Sequence, residues 1–246
     1  MLEAVAGLVD KELFGSRVTC VGGPALGASA VVREGAVITG AIPPECEQDV
    51  LSDAAALLDR ERSLTLAYGA HEVFIESLVP RPHLVIFGAV HIAQELCAFG
   101  RRLGFHVTVS DARPAFTTAE RFPEADRLLV GWPDEVVIDF DRRTFVVVLS
   151  HDSRFEDPLW PKVLPTPVPY IGAMGSSRTA QRRRERLLDE GFTPAQIDRI
   201  HGPIGLRIGA ETPAETAVAI LGEMIAKRHR VDEPLELVGT LLAIAD

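Results

Sequence analysis

The stretch HLVIFGAVHIA, residues 83–93, decides the fold. Its first five residues are a continuous apolar run, the pattern of a strand buried on both faces of a parallel sheet. Gly88 follows as a turn. Ile92, Leu96, Phe99 and Leu103 then recur at helical spacing, up to Gly104, a residue type that ends helices. The next run, FHVTV (105–109), is a second strand, closed by Ser110 and Asp111. Residues 82–111 therefore read as one βαβ unit of Rossmann type.

On the C-terminal side, RLLVG (127–131), TFVVVLS (144–150) and VPYIGA (168–173) are further strands, separated by helical or loop segments. Strands alternating with helices imply a doubly wound parallel sheet. Upstream, residues 17–39 alternate short apolar runs with glycine-rich breaks and predict two or three strands. A helix is expected over 47–58, where Val50, Ala54, Leu57 and Leu58 share a face, and HEVFIESL (71–78) alternates as a strand. Val79-Pro80-Arg81-Pro82 interrupts both periods, because proline resists helix and central strand alike. The expectation is an α/β protein: a smaller N-terminal α/β domain over 1–80 and a C-terminal Rossmann-like doubly wound parallel sheet over 81–246. Thr193 and Thr212 each precede Pro-Ala-Gln/Glu and predict helix starts with capping boxes. In the second of these helices Val218, Leu221 and Ile225 are expected to face the sheet, with Lys227, Arg228 and His229 at the negative end of its dipole.

The composition limits the partners. The 246 residues carry a formal net charge of −10 and are 47% hydrophobic, which argues against a nucleic-acid binder driven by charge and fits a packed globule. Cys20, Cys46 and Cys97 form no C-x-x-C pair, so neither a disulfide framework nor a metal cluster is expected. The acidic residues of MLEAVAGLVDKELF (1–14) do not suit a signal peptide, and no apolar run has the length of a membrane span. A cytoplasmic protein is expected.

Four segments carry candidate chemistry. Gly88-Ala89-Val90-His91-Ile92-Ala93 stands where G-x-G-x-x-G/A would lie: Gly88 supplies the turn, Ala93 close helix packing, and the helix start anion-binding N–H groups. Asp111, 23 residues beyond Gly88, is placed to accept from a ribose hydroxyl. Val90 occupies the second glycine position, where a β-branched side chain obstructs a pyrophosphate. His91 reads equally as a ligand contact or a helix cap. Ser150-His151-Asp152 follows a strand at the end where open α/β sheets bind ligands; His151 contacts a phosphate or pterin, or Asp152 and Asp157 merely cap turns. Gly172, Gly175, Ser176, Ser177 and Arg178 form a second anion loop, followed by Arg182, Arg183, Arg184 and Arg186 on a solvated or interface face. The glycine-rich loop at 201–210 places His201 beside the sheet edge. In the N-terminal part, Cys46 reads as a buried structural cysteine.

The ordered segments VIFGAVHIA, a strand ending in Asp111-Ala-Arg113, LSHDSRFED, YIGAMGSSRTAQRR and RIHGPIGLRIGAETPAETAVAIL closely resemble the XdhC/CoxI family. The resemblance implies an accessory chaperone that binds the molybdenum cofactor, as molybdopterin or its nucleotide form, and aids its insertion into a molybdenum hydroxylase. It implies a cofactor site built from Gly88, Ala89, Val90, His91, Asp111, Arg113, His151, Asp152, Gly172, Gly175, Ser176, Arg178 and His201, with no catalytic residue. A hydroxylase client, a cysteine desulfurase and a homodimer partner belong to the same picture. The family reads glycine where Val90 stands, and cysteine where Glu45 stands, which displaces the thiol to Cys46. An NAD(P)-dependent oxidoreductase on the same fold is the alternative; Val90 and the lack of a Tyr-x-x-x-Lys pair count against it. A degenerate Rossmann module acting through protein contacts is the third reading.

Overall fold

The computed structural model describes residues 1–150, 152–232 and 235–242. The chain divides into two compact units, Met1–Pro80 with the stretch from His229 onward, and Arg81–Arg228. The C-terminal stretch, expected with the Rossmann domain, therefore groups with the first unit. The reason is a strand of two residues, Thr240–Leu241, that pairs there and is too short to show an alternating pattern in the sequence.

The first unit opens with α1 (Leu2–Asp10), followed by β1 (Gly15–Gly22), β2 (Ser29–Arg33), β3 (Ala36–Gly40), α2 (Glu47–Asp59), β4 (Leu64–Tyr68) and β5 (His71–Leu78). Its helix α2 buries Val50, Ala54 and Leu57, three members of the predicted stripe, against Val18, Ala30, Val73 and Ile75 of the sheet. The stripe also buries one carboxylate, Asp53, 1% exposed.

The second unit contains β6 (His83–Phe87), α3 (His91–Arg102), β7 (His106–Asp111), β8 (Arg127–Val130), β9 (Thr144–Val148), α4 (Ser153–Glu156), α5 (Trp160–Val163), β10 (Tyr170–Ala173), α6 (Ser177–Asp189), α7 (Pro194–Ile197), β11 (Ile200–His201) and α8 (Pro213–Arg228). Late in the chain β12 (Thr240–Leu241) returns to pair antiparallel with β4, giving the first unit the order β12-β4-β5-β1-β2-β3.

The Rossmann unit's sheet has the order β11-β10-β9-β6-β7-β8, all parallel. Counted from β6 as the first strand this is 3-2-1-4-5-6 reversed, the dinucleotide-fold order, and its direction of winding changes between β6 and β9. Burial explains why HLVIF and TFVVV show no alternation: Leu84, Val85, Ile86 and Phe87 are all fully buried, as is the whole of β9, because helices cover both faces. Thr193 makes its capping box with Gln196, and Thr212 and Glu215 exchange the corresponding bonds at the start of α8.

The buried stripe of α8 is Ala217, Ile220, Leu221 and Met224, while Val218 and Ile225 are exposed, 51% and 37%. The expected phase was wrong for these two. Alanine at 217 lets α8 pack closely on α3, and the face that meets it buries Ile220 and Met224 and leaves Val218 and Ile225 outside.

Candidate functional site

The carboxyl ends of β6, β7 and β9 converge at Gly88. Phe87 is in register with Ser110 and with Val148. The Gly88 N–H donates to the Ser110 carbonyl at 2.8 Å, and the Leu149 N–H donates to the Phe87 carbonyl at 2.8 Å. Gly88 has φ +107°, and a Cβ there would meet the Leu149 carbonyl carbon and the Ser150 nitrogen at 3.3 Å. Both the backbone angle and the neighbouring strand require glycine.

Beyond this turn α3 begins without a side-chain cap and with no acidic residue in its first turn. Its first N–H groups therefore remain donors at the positive end of a 12-residue helix. Val90, the N-cap, has φ −86° and ψ 177°, an extended conformation open to any residue, and its half-buried side chain packs on the core beneath α3. His91 is exposed and caps nothing.

Asp111 sits at the end of β7, 3% exposed. Its Oδ1 accepts from the Arg113 backbone N–H at 3.0 Å and from Arg113 Nε at 2.8 Å; its Oδ2 accepts from the Ala89 N–H and from Arg113 Nη2, both at 2.7 Å. Burial alone would raise the carboxyl's pKa, but the bonds from Arg113 and Ala89 outweigh it and hold the group below the usual carboxylate range. Arg113 remains 54% exposed in its side chain and lies 4.2 Å over the ring of Phe116. Arg121 lies 4.9 Å over the same ring and donates to the Ala89 carbonyl at 3.2 Å.

His151 lies outside the described residues. Asp152 caps α4, accepting from the Arg154 N–H and from its guanidinium. Ser150 Oγ accepts from the Asp152 N–H at 3.1 Å. Gly172 is packed: a Cβ there would meet the Tyr170 hydroxyl at 2.6 Å. Gly175 turns at φ +138°, Ser176 caps α6 through the Thr179 N–H, and Arg178 is exposed. Arg183, expected on a solvated face, is 3% exposed, because it forms a two-bond ion pair with buried Glu156 at 2.8 and 3.0 Å and donates to the Met174 carbonyl.

His201, at the edge strand β11, stacks on Tyr170 with ring centres 5.1 Å apart and sets Nδ1 3.4 Å from Glu223 Oε1. Glu223 Oε2 accepts from the Tyr170 hydroxyl at 2.5 Å and from the Gly205 N–H at 2.9 Å. Desolvation opposes its charge, yet the bonds from His201, Tyr170 and Gly205 win and keep it a carboxylate below its usual range. The structure thus gathers Gly88, Ala89, Asp111 and Arg113 into one hydrogen-bonded group, and ties His201 to a separate one. Sequence reasoning missed Phe116, Arg121 and Glu223. The signal for Glu223 was its place between buried Leu221 and Met224.

In the first unit Glu45 Oε1 pairs with His71 Nε2 at 2.7 Å, and its carboxyl is held low by its own backbone N–H and by His71. Cys46 is 5% exposed, its Sγ lies 3.6 Å from the Pro43 carbonyl, and burial pushes the thiols of Cys46 and Cys20 up. Among the described residues no group of three His, Cys, Asp or Glu is placed to hold a metal ion, and no helix is long and apolar enough to cross a membrane.

The chain is similar to several known proteins. A probable xanthine dehydrogenase subunit of Bacillus subtilis is 32% identical over 184 residues, 72% of this chain and 54% of that protein. The molybdenum cofactor insertion chaperone PaoD of Escherichia coli is 26% identical over 63% of this chain and 42% of its own length. The uncharacterized protein YqeB of Escherichia coli is 32% identical over 65% of this chain and 30% of its own. The chain thus spans about half or less of the length of these relatives. The crystal structure of a xanthine dehydrogenase from Bacillus halodurans superposes with a TM-score of 0.65 over 92% of this chain and 63% of that one, at 23% identity, and shares the fold. The profile of the XdhC Rossmann domain matches residues 84–224, more than half of the chain, which therefore belongs to the XdhC family.

Proposed function

We propose that this protein is an accessory chaperone that binds the molybdenum cofactor and aids its maturation and insertion into a molybdenum hydroxylase of the xanthine dehydrogenase type. The observation that carries this reading is the uncapped amino end of α3 at the switch point of the sheet. Free N–H groups on a helix dipole suit the anionic tail of the cofactor, which ends in a phosphate or a nucleotide. The donor set fits that group: α3's first N–H groups and the outward faces of Arg113 and Arg121 are donors, not acceptors. The name of PaoD, a molybdenum cofactor insertion chaperone, supports the same reading.

The test is to isolate the protein from cells that make the cofactor, quantify bound pterin by fluorescence after oxidation, and mix it with cofactor-free hydroxylase. Near-stoichiometric pterin and activation of the hydroxylase are expected. His91→Glu, which sets a carboxylate against the free N–H groups at an exposed position, should lower pterin retention by about tenfold while leaving the thermal midpoint within a few degrees. No retained pterin and no activation would sink the proposal.

A further inference from the structure

In dinucleotide folds the acid that ends the second strand accepts hydrogen bonds from a ribose hydroxyl. Asp111 stands at that position, and a carboxylate has about four lone-pair sites. Four donors already fill them: the backbone N–H groups of Ala89 and Arg113, and Nε and Nη2 of Arg113. A ribose diol that arrived here would find no free acceptor.

What the end of β7 offers instead is a set of donors. After giving one N–H from each of Nε and Nη2 to Asp111, the Arg113 guanidinium keeps three, and its side chain is 54% exposed. Arg121 spends one bond on the Ala89 carbonyl. Both guanidiniums pack on the Phe116 ring, at 4.2 and 4.9 Å from its centre, so one aromatic side chain gathers two like charges. Three groups, two cationic and one anionic, leave this corner with a net charge of about +1. The Ala89 carbonyl that Arg121 grips belongs to the Gly88 turn, so the pair sits beside the uncapped start of α3.

We propose that Arg113, Phe116 and Arg121 form a subsite for a phosphomonoester, and that the protein selects a ligand carrying that group over the same ligand with a free hydroxyl. A dianionic phosphate supplies the acceptors and the charge that a ribose diol lacks, and a planar guanidinium fork matches its oxygens two at a time. Two sources carry this chemistry: a 2′-phosphate on the ribose of a nicotinamide dinucleotide, and the terminal phosphate of the pterin cofactor. The inference rests on the crevice being a cofactor site and names the group it reads.

The experiment compares affinities within two ligand pairs, NADPH against NADH and the pterin monophosphate against its dephosphorylated form, by titration of the full chain. The phosphorylated member of one pair is expected to bind at least about tenfold more tightly, and the pair that shows it identifies the source. Arg121→Ala should bring that ratio to within about twofold of one, and Arg121→Lys, which keeps the charge and loses the fork, should restore part of it. Circular dichroism of each variant establishes that it is folded. Equal affinity within both pairs, or a ratio untouched by Arg121→Ala, overturns the subsite. Pterin retention and hydroxylase activation by the same preparation report on the chaperone reading separately, so a protein that retains pterin yet ignores the phosphate overturns this subsite alone.

Discussion

At Gly88 one missing side chain lets three strand ends meet. Alanine there would have to adopt φ +107° and press on the Leu149–Ser150 peptide at 3.3 Å, so Gly88→Ala should cost about 1–3 kcal/mol in a denaturant titration and weaken ligand binding as the turn shifts. His83, at the other end of the same strand, behaves differently. Burial, reinforced by His106 and opposed by Asp141, lowers its pKa from 6.5 to about 4, and its Nε2 is 2.8 Å from Thr108 Oγ1. The unfolded ring takes up its proton near 6.5 and the folded ring only near 4. The stability this neutral ring contributes is therefore complete above pH 6.5 and is lost as pH falls toward 4. Urea midpoints measured between pH 7.5 and 4.5 should fall more steeply in the wild type than in His83→Gln; parallel curves would remove His83 as the cause.

Among the elements, α6 shows how a charged helix can be part of a core. Arg182, Arg183, Arg184 and Arg186 look alike in sequence, yet Arg183 is the one that is buried, where Glu156 of α4 meets it with both partners under 5% exposed, while half-buried Arg186 pairs with Asp157 at 2.7 Å and reaches Glu156 at 3.8 Å. Breaking such a pair leaves a buried charge without its counterpart. Glu156→Gln should cost about 3–5 kcal/mol, whereas the double change Glu156→Leu with Arg183→Met should recover most of that loss, as chemical denaturation will measure. In α8 the expected stripe ran through Val218, Leu221 and Ile225; the helix instead buries Ala217, Ile220, Leu221 and Met224, and the close approach of α3 accounts for it, because alanine at 217 admits a neighbouring helix that valine would hold off.

For the molecule as a whole, Asp53 links residues far apart in the chain. It accepts from the Tyr68 hydroxyl at 2.8 Å and from the N–H groups of Val238 and Gly239 at 2.7 Å, fastening the late segment to the first unit. Asp53→Ala should cost about 2–3 kcal/mol and raise hydrogen exchange at Val238 and Gly239, while amides of β6 and β9 in the other unit keep their protection. Much of the architecture is written in the sequence. The apolar runs of β6 and β9, the glycine turn and the two Thr-Pro helix starts determined a parallel, doubly wound sheet, because burial on two faces and helix capping are local demands written in adjacent residues. The turn at Gly88 and the acid that ends the next strand at Asp111 were legible for the same reason, whereas Arg113 entered only through the family resemblance. Tertiary structure alone decided that Asp111 is saturated, that Phe116 and Arg121 join Arg113, that Glu223 meets His201, and that the chain returns to pair β12 with β4. Each of these is completed by a group from a distant segment, as Ala89 supplies the fourth donor to Asp111 and Arg121 reaches back to the Ala89 carbonyl, and the number of donors an acceptor receives is set by which groups arrive, which no local pattern of residues records.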